Sequence, residues 1–145
     1  MSTKSFIINL PIITGDQDRR RLRKSFSFGC NLQNAVMGGG WDRVLKMRAT
    51  AEWQTARAMP KSSERTKAFR DLRVRFRLSE YDFHADVAMH RKASGRGHLL
   101  GINECQKLAS RAWISVERHL YNGGSPKNVD RLSETPASRV SARIG

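Results

Sequence analysis

Acidic residues are scarce in this sequence. Thirteen Asp and Glu face twenty-seven Lys and Arg, which leaves a formal charge of +14 on 145 residues and an isoelectric point near 11.0. A chain so unbalanced repels itself when compact and attracts polyanions, of which DNA and RNA are the commonest. Long apolar runs are missing too. The N-terminal run at residues 6–10 is interrupted by Asn9 and Pro11, too soon for a signal peptide and far short of the ~20 residues of a membrane span. With no lipidation signal either, a membrane partner is not expected, and the expected compartment is the cytoplasm.

Cysteine is nearly absent. Cys30 and Cys105 each lie in a helix-like apolar pattern and read as small core residues, free thiols in a reducing compartment, with a disulfide as the alternative. The spacing needed for metal chemistry is lacking as well. His84 and His90 stand six apart, which is not a same-face helical pair, and no Cys-x-x-Cys accompanies them. Asp82 and Asp86 would share a helical face, but capping and ion pairing with Arg91 explain them more simply than acid–base catalysis. Gly38-Gly39-Gly40 lacks the Lys and Ser/Thr of a phosphate loop. The expectation is a protein with no catalytic residue, no metal and no cofactor, not an enzyme by itself.

What is present is helical periodicity. The pattern predicts a mainly α fold: one short N-terminal β-strand at residues 5–10, stopped by Pro11, then a bundle of about five helices. Asp16 or Thr14 can cap a first helix over 17–36, with Leu22, Phe26, Cys30 and Val36 among its apolar positions and the three glycines ending it. A second helix is expected over 41–58, with Trp41, Val44, Leu45, Ala49 and Trp53 on its apolar side and Met59-Pro60 closing it. A third starts at Ser62 or Ser63 and turns Phe69, Leu72 and Phe76 to one face. Ser79-Glu80-Tyr81-Asp82 resembles a capping box and opens a fourth. The fifth has the widest stripe, from Ile102, Cys105, Leu108, Ala109, Ala112, Trp113 and Val116 to Leu120, with Gly123-Gly124 as its cap. Residues 125–145 hold too few apolar side chains to offset their ordering entropy and are expected to be a disordered tail. The expected divisions are therefore 1–14, 15–124 and 125–145.

Three basic groups are the candidate nucleic-acid contacts. Residues 19–24 hold five cations in six positions, and Arg19, Arg20, Arg23 and Lys24 could track adjacent phosphates. On the third helix Arg70, Arg73 and Arg77 belong to a run of six cations interleaved with aromatics, which suits a phosphate groove. On the fifth, Gln106, Lys107, Ser110, Arg111 and Arg118 lie off the apolar stripe and could follow a backbone or groove edge.

Two stretches carry a resemblance. Leu78-Ser79-Glu80-Tyr81-Asp82-Phe83-His84, followed by Gly101-Ile102-Asn103-Glu104-Cys105-Gln106-Lys107-Leu108-Ala109-Ser110-Arg111-Ala112-Trp113 and then Val116-Glu117, resembles the N-terminal region of the TnpB family. These are RNA-guided nucleases encoded by insertion sequences, long classed as transposases and related to type V CRISPR effectors. Phe6-Ile7-Ile8-Asn9-Leu10-Pro11 is similar to the family's first strand, and Asn34-Ala35-Val36 and Arg43-Val44-Leu45-Lys46-Met47-Arg48 resemble its first two helices. The likeness spans roughly residues 4–124. It implies a wedge-like strand and a helical recognition lobe that grips guide RNA and the RNA–DNA duplex. Family members are several hundred residues long, and their catalytic carboxylates and zinc ribbon have no counterpart here. The sequence therefore reads as a non-catalytic N-terminal fragment that binds RNA and/or DNA, with either a reading frame lost near Gly124–Lys127 or a natural short tail as the source of residues 125–145. The alternatives are an independent small basic DNA-binding regulator, for which no tight helix-turn-helix spacing is present, and a basic scaffolding protein.

Overall fold

The computed structural model describes residues 7–121, and five α-helices lie among them: α1 (Asp16–Arg48), α2 (Ala51–Ala58), α3 (Ser63–Arg75), α4 (Glu80–Ala93) and α5 (Ile102–Glu117). A 3-10 turn, Gly97–Leu99, joins α4 to α5. Residues 7–10, the described part of the expected strand, have no regular structure, and their side chains are exposed. A strand needs a neighbour to accept its ladder of hydrogen bonds, and no other strand exists among the described residues. The expected tail, and the Gly123-Gly124 cap, lie outside the described residues. No described helix is long and apolar enough to cross a membrane.

The largest departure from expectation is α1. It does not stop at the three glycines but runs straight through them for 33 residues, about 50 Å at 1.5 Å per residue. Its buried side chains, Phe28, Leu32, Val36, Met37, Trp41, Val44 and Met47, form one stripe on both sides of the glycines. Continuity of that stripe outweighs the roughly 1 kcal/mol that each helical glycine costs relative to alanine. Gly40 is itself buried, against the ring of Phe83 on α4.

The break comes later, at Thr50. Its hydroxyl accepts from the Trp53 amide at 3.3 Å and donates to the Met47 carbonyl at 2.6 Å. One side chain thus caps the start of α2 and ties off the end of α1. The helix expected over 41–58 is therefore two elements. Gly15, not Asp16 or Thr14, is the N-cap of α1, with Asp16 and Asp18 in its first turn.

Expected caps hold elsewhere. Ser62 accepts from the Arg65 amide at 3.2 Å, and Ser79 accepts from the Asp82 amide at 3.2 Å while its hydroxyl meets the Asp82 carboxylate at 2.5 Å. Between α3 and α4 the Leu78 amide bonds to the Arg73 carbonyl and the Arg77 amide to that of Val74. This is a Schellman closure with Arg77 in the left-handed position at φ 53°. Leu78 follows it and is fully buried.

Helices α1, α4 and α5 make most of the core, and Trp53 and Ala56 of α2 and Leu72 of α3 extend it. Gly29 of α1 lies against Leu100 and Leu108, whereas Arg48 donates to the carbonyls of His119 and Leu120, so α1 and α5 run parallel. Ser110 bonds to Glu80 and His84, and Arg91 to the carbonyls of Gly97 and Leu100, so α4 runs antiparallel to α5. Cys105, Ala109 and Ala112 are small enough to let the helices close, and Trp113 packs edge-on to Phe83 with centroids 5.3 Å apart. Helices α2 and α3 form a hairpin at the C-terminal end of α5, held by Trp53, Phe69 and Tyr121 and by the Arg75–Glu52 pair at 3.1 Å. The two cysteines are free: Cys105 is buried as expected, but Cys30 is exposed.

Candidate nucleic-acid interface

The overhang of α1 shapes the surface. Helices α4 and α5, at 14 and 16 residues, reach about 21 and 24 Å and cannot cover a helix twice that length. The first buried residue of α1 is Phe28. Leu22 and Phe26, expected in the core, are 45% and 69% exposed because no other described helix reaches them. Arg19, Arg20, Arg21, Arg23 and Lys24 are likewise exposed on this projecting stem. Arg19 takes a hydrogen bond partner in Thr14 and stands 4.0 Å from Asp16. Arg20, Arg21, Arg23 and Lys24 enter no ion pair among the described residues.

At one hundred degrees per residue, Arg20, Arg23, Lys24 and Ser27 share a face. Arg23 and Lys24 border an open depression of about 500 Å³ whose far side is Arg96, His98 and Leu99. The connection between α4 and α5 thus adds two cationic or titratable groups that no periodicity argument could attach to the first helix. Their sequence signal was only a glycine-rich loop. Arg91 holds that loop in shape by donating to the Gly97 carbonyl at 2.6 Å and to Leu100 at 3.2 Å. Arg91 is therefore not the partner of Asp82 and Asp86. Asp86, 6% exposed, lies 2.7 Å from Arg43 and 3.4 Å from Arg77, and Asp82 lies 3.5 Å from Arg77.

The other candidates divide. Arg70 is exposed and borders a depression of about 580 Å³ with Thr66, Val74 and Tyr121. Arg73 is turned inward: its guanidinium lies 5.3 Å from the Trp113 ring, 3.7 Å from Glu117 and 3.3 Å from the Leu78 carbonyl. Arg77 is spent on Asp82 and Asp86. Ser110 is half-buried between Glu80, at 2.5 Å, and His84, at 2.9 Å, and fastens α5 to α4. Gln106, Lys107 and Arg111 are exposed on α5, and Arg118 forms its C-cap.

Arg70 and the basic stem of α1 do not meet. Lys24 and Arg48 are separated by 24 residues of helix, about 36 Å, and the α2–α3 hairpin sits at the Arg48 end. The molecule carries two basic poles. Burial, and then the like charge of Arg57, push the Arg48 guanidinium below its ordinary value at the second pole. Among the described residues no group of three His, Cys, Asp or Glu is placed to hold a metal ion. No family model, curated protein or solved structure matches the chain.

Proposed function

We propose that the protein binds the phosphate backbone of RNA or DNA through the projecting stem of α1 and the neighbouring Arg96–His98 loop. The observation that carries this reading is the set Arg20, Arg21, Arg23 and Lys24, exposed beyond the core and without acidic partners among the described residues. Uncompensated cations at one to four residue spacing on a rigid helix match the close spacing of charges along a nucleic-acid strand. The positive end of the helix dipole lies at the same pole, partly offset by Asp16 and Asp18.

The reading extends to binding without cutting, because Asp82, Asp86, Glu52 and Glu117 stand beside arginines and so hold the fold together. It is compatible with the resemblance of 78–84 and 101–117 to the recognition region of TnpB-type nucleases. Contacts confined to phosphates position a protein but carry no base information. The test is a binding assay of Arg20→Glu/Arg23→Glu/Lys24→Glu against several unrelated sequences. Affinity should fall by a similar factor for all of them. Unchanged binding, with the fold intact by circular dichroism, would remove the stem from the interface.

A further inference from the structure

The second pole holds a depression of about 500 Å³ between α2, α3 and the residues after α5. Its rim is Arg57, Lys61 and Arg65, and its floor is Trp53, Phe69 and Tyr121. None of the three cations is in an ion pair among the described residues. Periodicity puts Trp53 and Phe69 on apolar faces and Arg65 in the basic run of the third helix, but it does not bring the six together, because the cations come from two helices and a loop, and the aromatics from three separate segments.

The geometry of the floor separates core from platform. Trp53 is 2% exposed and Phe69 stands edge-on to both neighbours, at 5.1 Å from Trp53 and 5.4 Å from Tyr121. Together they fix the Tyr121 ring, which stays 46% exposed. Arg65 lies over Phe69 at 5.5 Å, so its guanidinium is held at the rim rather than extended into solvent. An anion-binding rim beside a half-exposed, rigid aromatic face is a two-part recognition surface. It fits a ligand that carries both a phosphate and a planar ring.

We infer that this depression is a binding site for a nucleotide unit, its phosphate held by Arg57, Lys61 and Arg65 and its base stacked on Tyr121. The inference rests on the backbone-binding reading above and adds to it. A single strand could be gripped at both poles, about 36 Å apart, with only the second pole requiring an unpaired base. A free mononucleotide offers the same chemistry and is the other source.

The experiment compares a short single-stranded oligonucleotide, its duplex and adenosine monophosphate in equilibrium binding to the intact chain. The variants are Tyr121→Ala, Tyr121→Phe, and Arg57→Gln/Lys61→Gln. Loss of one stacked base should weaken single-strand binding roughly 5- to 150-fold in Tyr121→Ala. Duplex binding should change little, and Tyr121→Phe should restore the parent affinity. The Arg57→Gln/Lys61→Gln pair should weaken the single strand without altering the melting temperature. Mononucleotide binding with the same variant dependence assigns the site to free nucleotide, and dependence seen for the oligonucleotide alone assigns it to a strand. Equal losses for single strand and duplex in Tyr121→Ala, or no loss in the folded double-glutamine variant, would overturn the site. Such a result leaves the α1 stem standing if its own charge-reversal variant still loses binding. Parent binding that survives the stem reversal but fails here would do the opposite.

Discussion

Gly40 of α1 and Phe83 of α4 occupy one space: a Cβ built on Gly40 would stand 2.8 Å from Phe83 Cε1 and closer still to Cζ. Gly38 and Gly39, its neighbours in the same helix, have nothing within 4 Å of such an atom. Three consecutive glycines therefore have different physical roles, and only the third is required by packing.

Substitution should separate them. Gly38→Ala and Gly39→Ala should each stabilise the protein by about 0.5–1 kcal/mol, since alanine loses less backbone entropy in a helix. Gly40→Ala should destabilise it by about 1–3 kcal/mol, because a rigid ring must move in a full core. Thermal or urea melting of the three single variants gives the comparison, and a stabilised Gly40→Ala would mean that α4 packs elsewhere.

Asp86 should be the most sensitive charged position. It is buried between Arg43 and Arg77, and Arg43 also lies 5.3 Å from the Phe83 ring. Removing the carboxylate leaves a buried guanidinium without its counter-charge, so Asp86→Ala should cost about 3–5 kcal/mol. Denaturant melting is the readout. The exposed Asp16, in contrast, should tolerate alanine with a change well under ~1 kcal/mol.

Trp113→Ala should cost about 3–5 kcal/mol. Trp113 is 6% exposed and touches both Phe83 and Arg73. Arg73 would lose its aromatic partner at the same time, so the α3–α5 contact should loosen as well, visible as faster amide exchange in α3.

The cysteines give an inexpensive check on the packing. Burial raises the Cys105 thiol above its ordinary value, so it stays protonated and unreactive, while Cys30 faces solvent. A thiol reagent should label one cysteine per native chain, at Cys30, and two once the chain is unfolded. Rapid native labelling of Cys105 would contradict the α4–α5 interface.

The α5 stripe was readable because its reason is local: Cys105, Ala109, Ala112, Trp113 and Val116 repeat at helical spacing, and the same residues are buried. The Ser62 and Ser79 starts were readable for the same cause, a side chain bonding to the amide three residues on. The uninterrupted α1 was not, because the justification for Gly40 is a ring 43 positions away. Leu22 and Phe26 matched the period of the core, but period cannot say how far α4 and α5 extend. The β-rich composition of residues 7–10 had no partner strand among the described residues. At the candidate interface, exposure of Arg20, Arg23 and Lys24 followed from their density. The inward turn of Arg73 and Ser110, and the pairing of Arg77 with Asp82 and Asp86, depended on Trp113, Glu80 and the α4 carboxylates, contacts that no single-helix pattern contains.

Whether the α1 stem meets phosphates is measured most directly by the salt dependence of binding. Each phosphate contact contributes about −0.9 to the slope of log affinity against log salt on duplex DNA. Replacing Arg20, Arg23 and Lys24 by glutamine should make the slope of the folded protein shallower by roughly 2–3. An identical slope in parent and variant, or a parent affinity that stays flat from low to physiological salt, would contradict it.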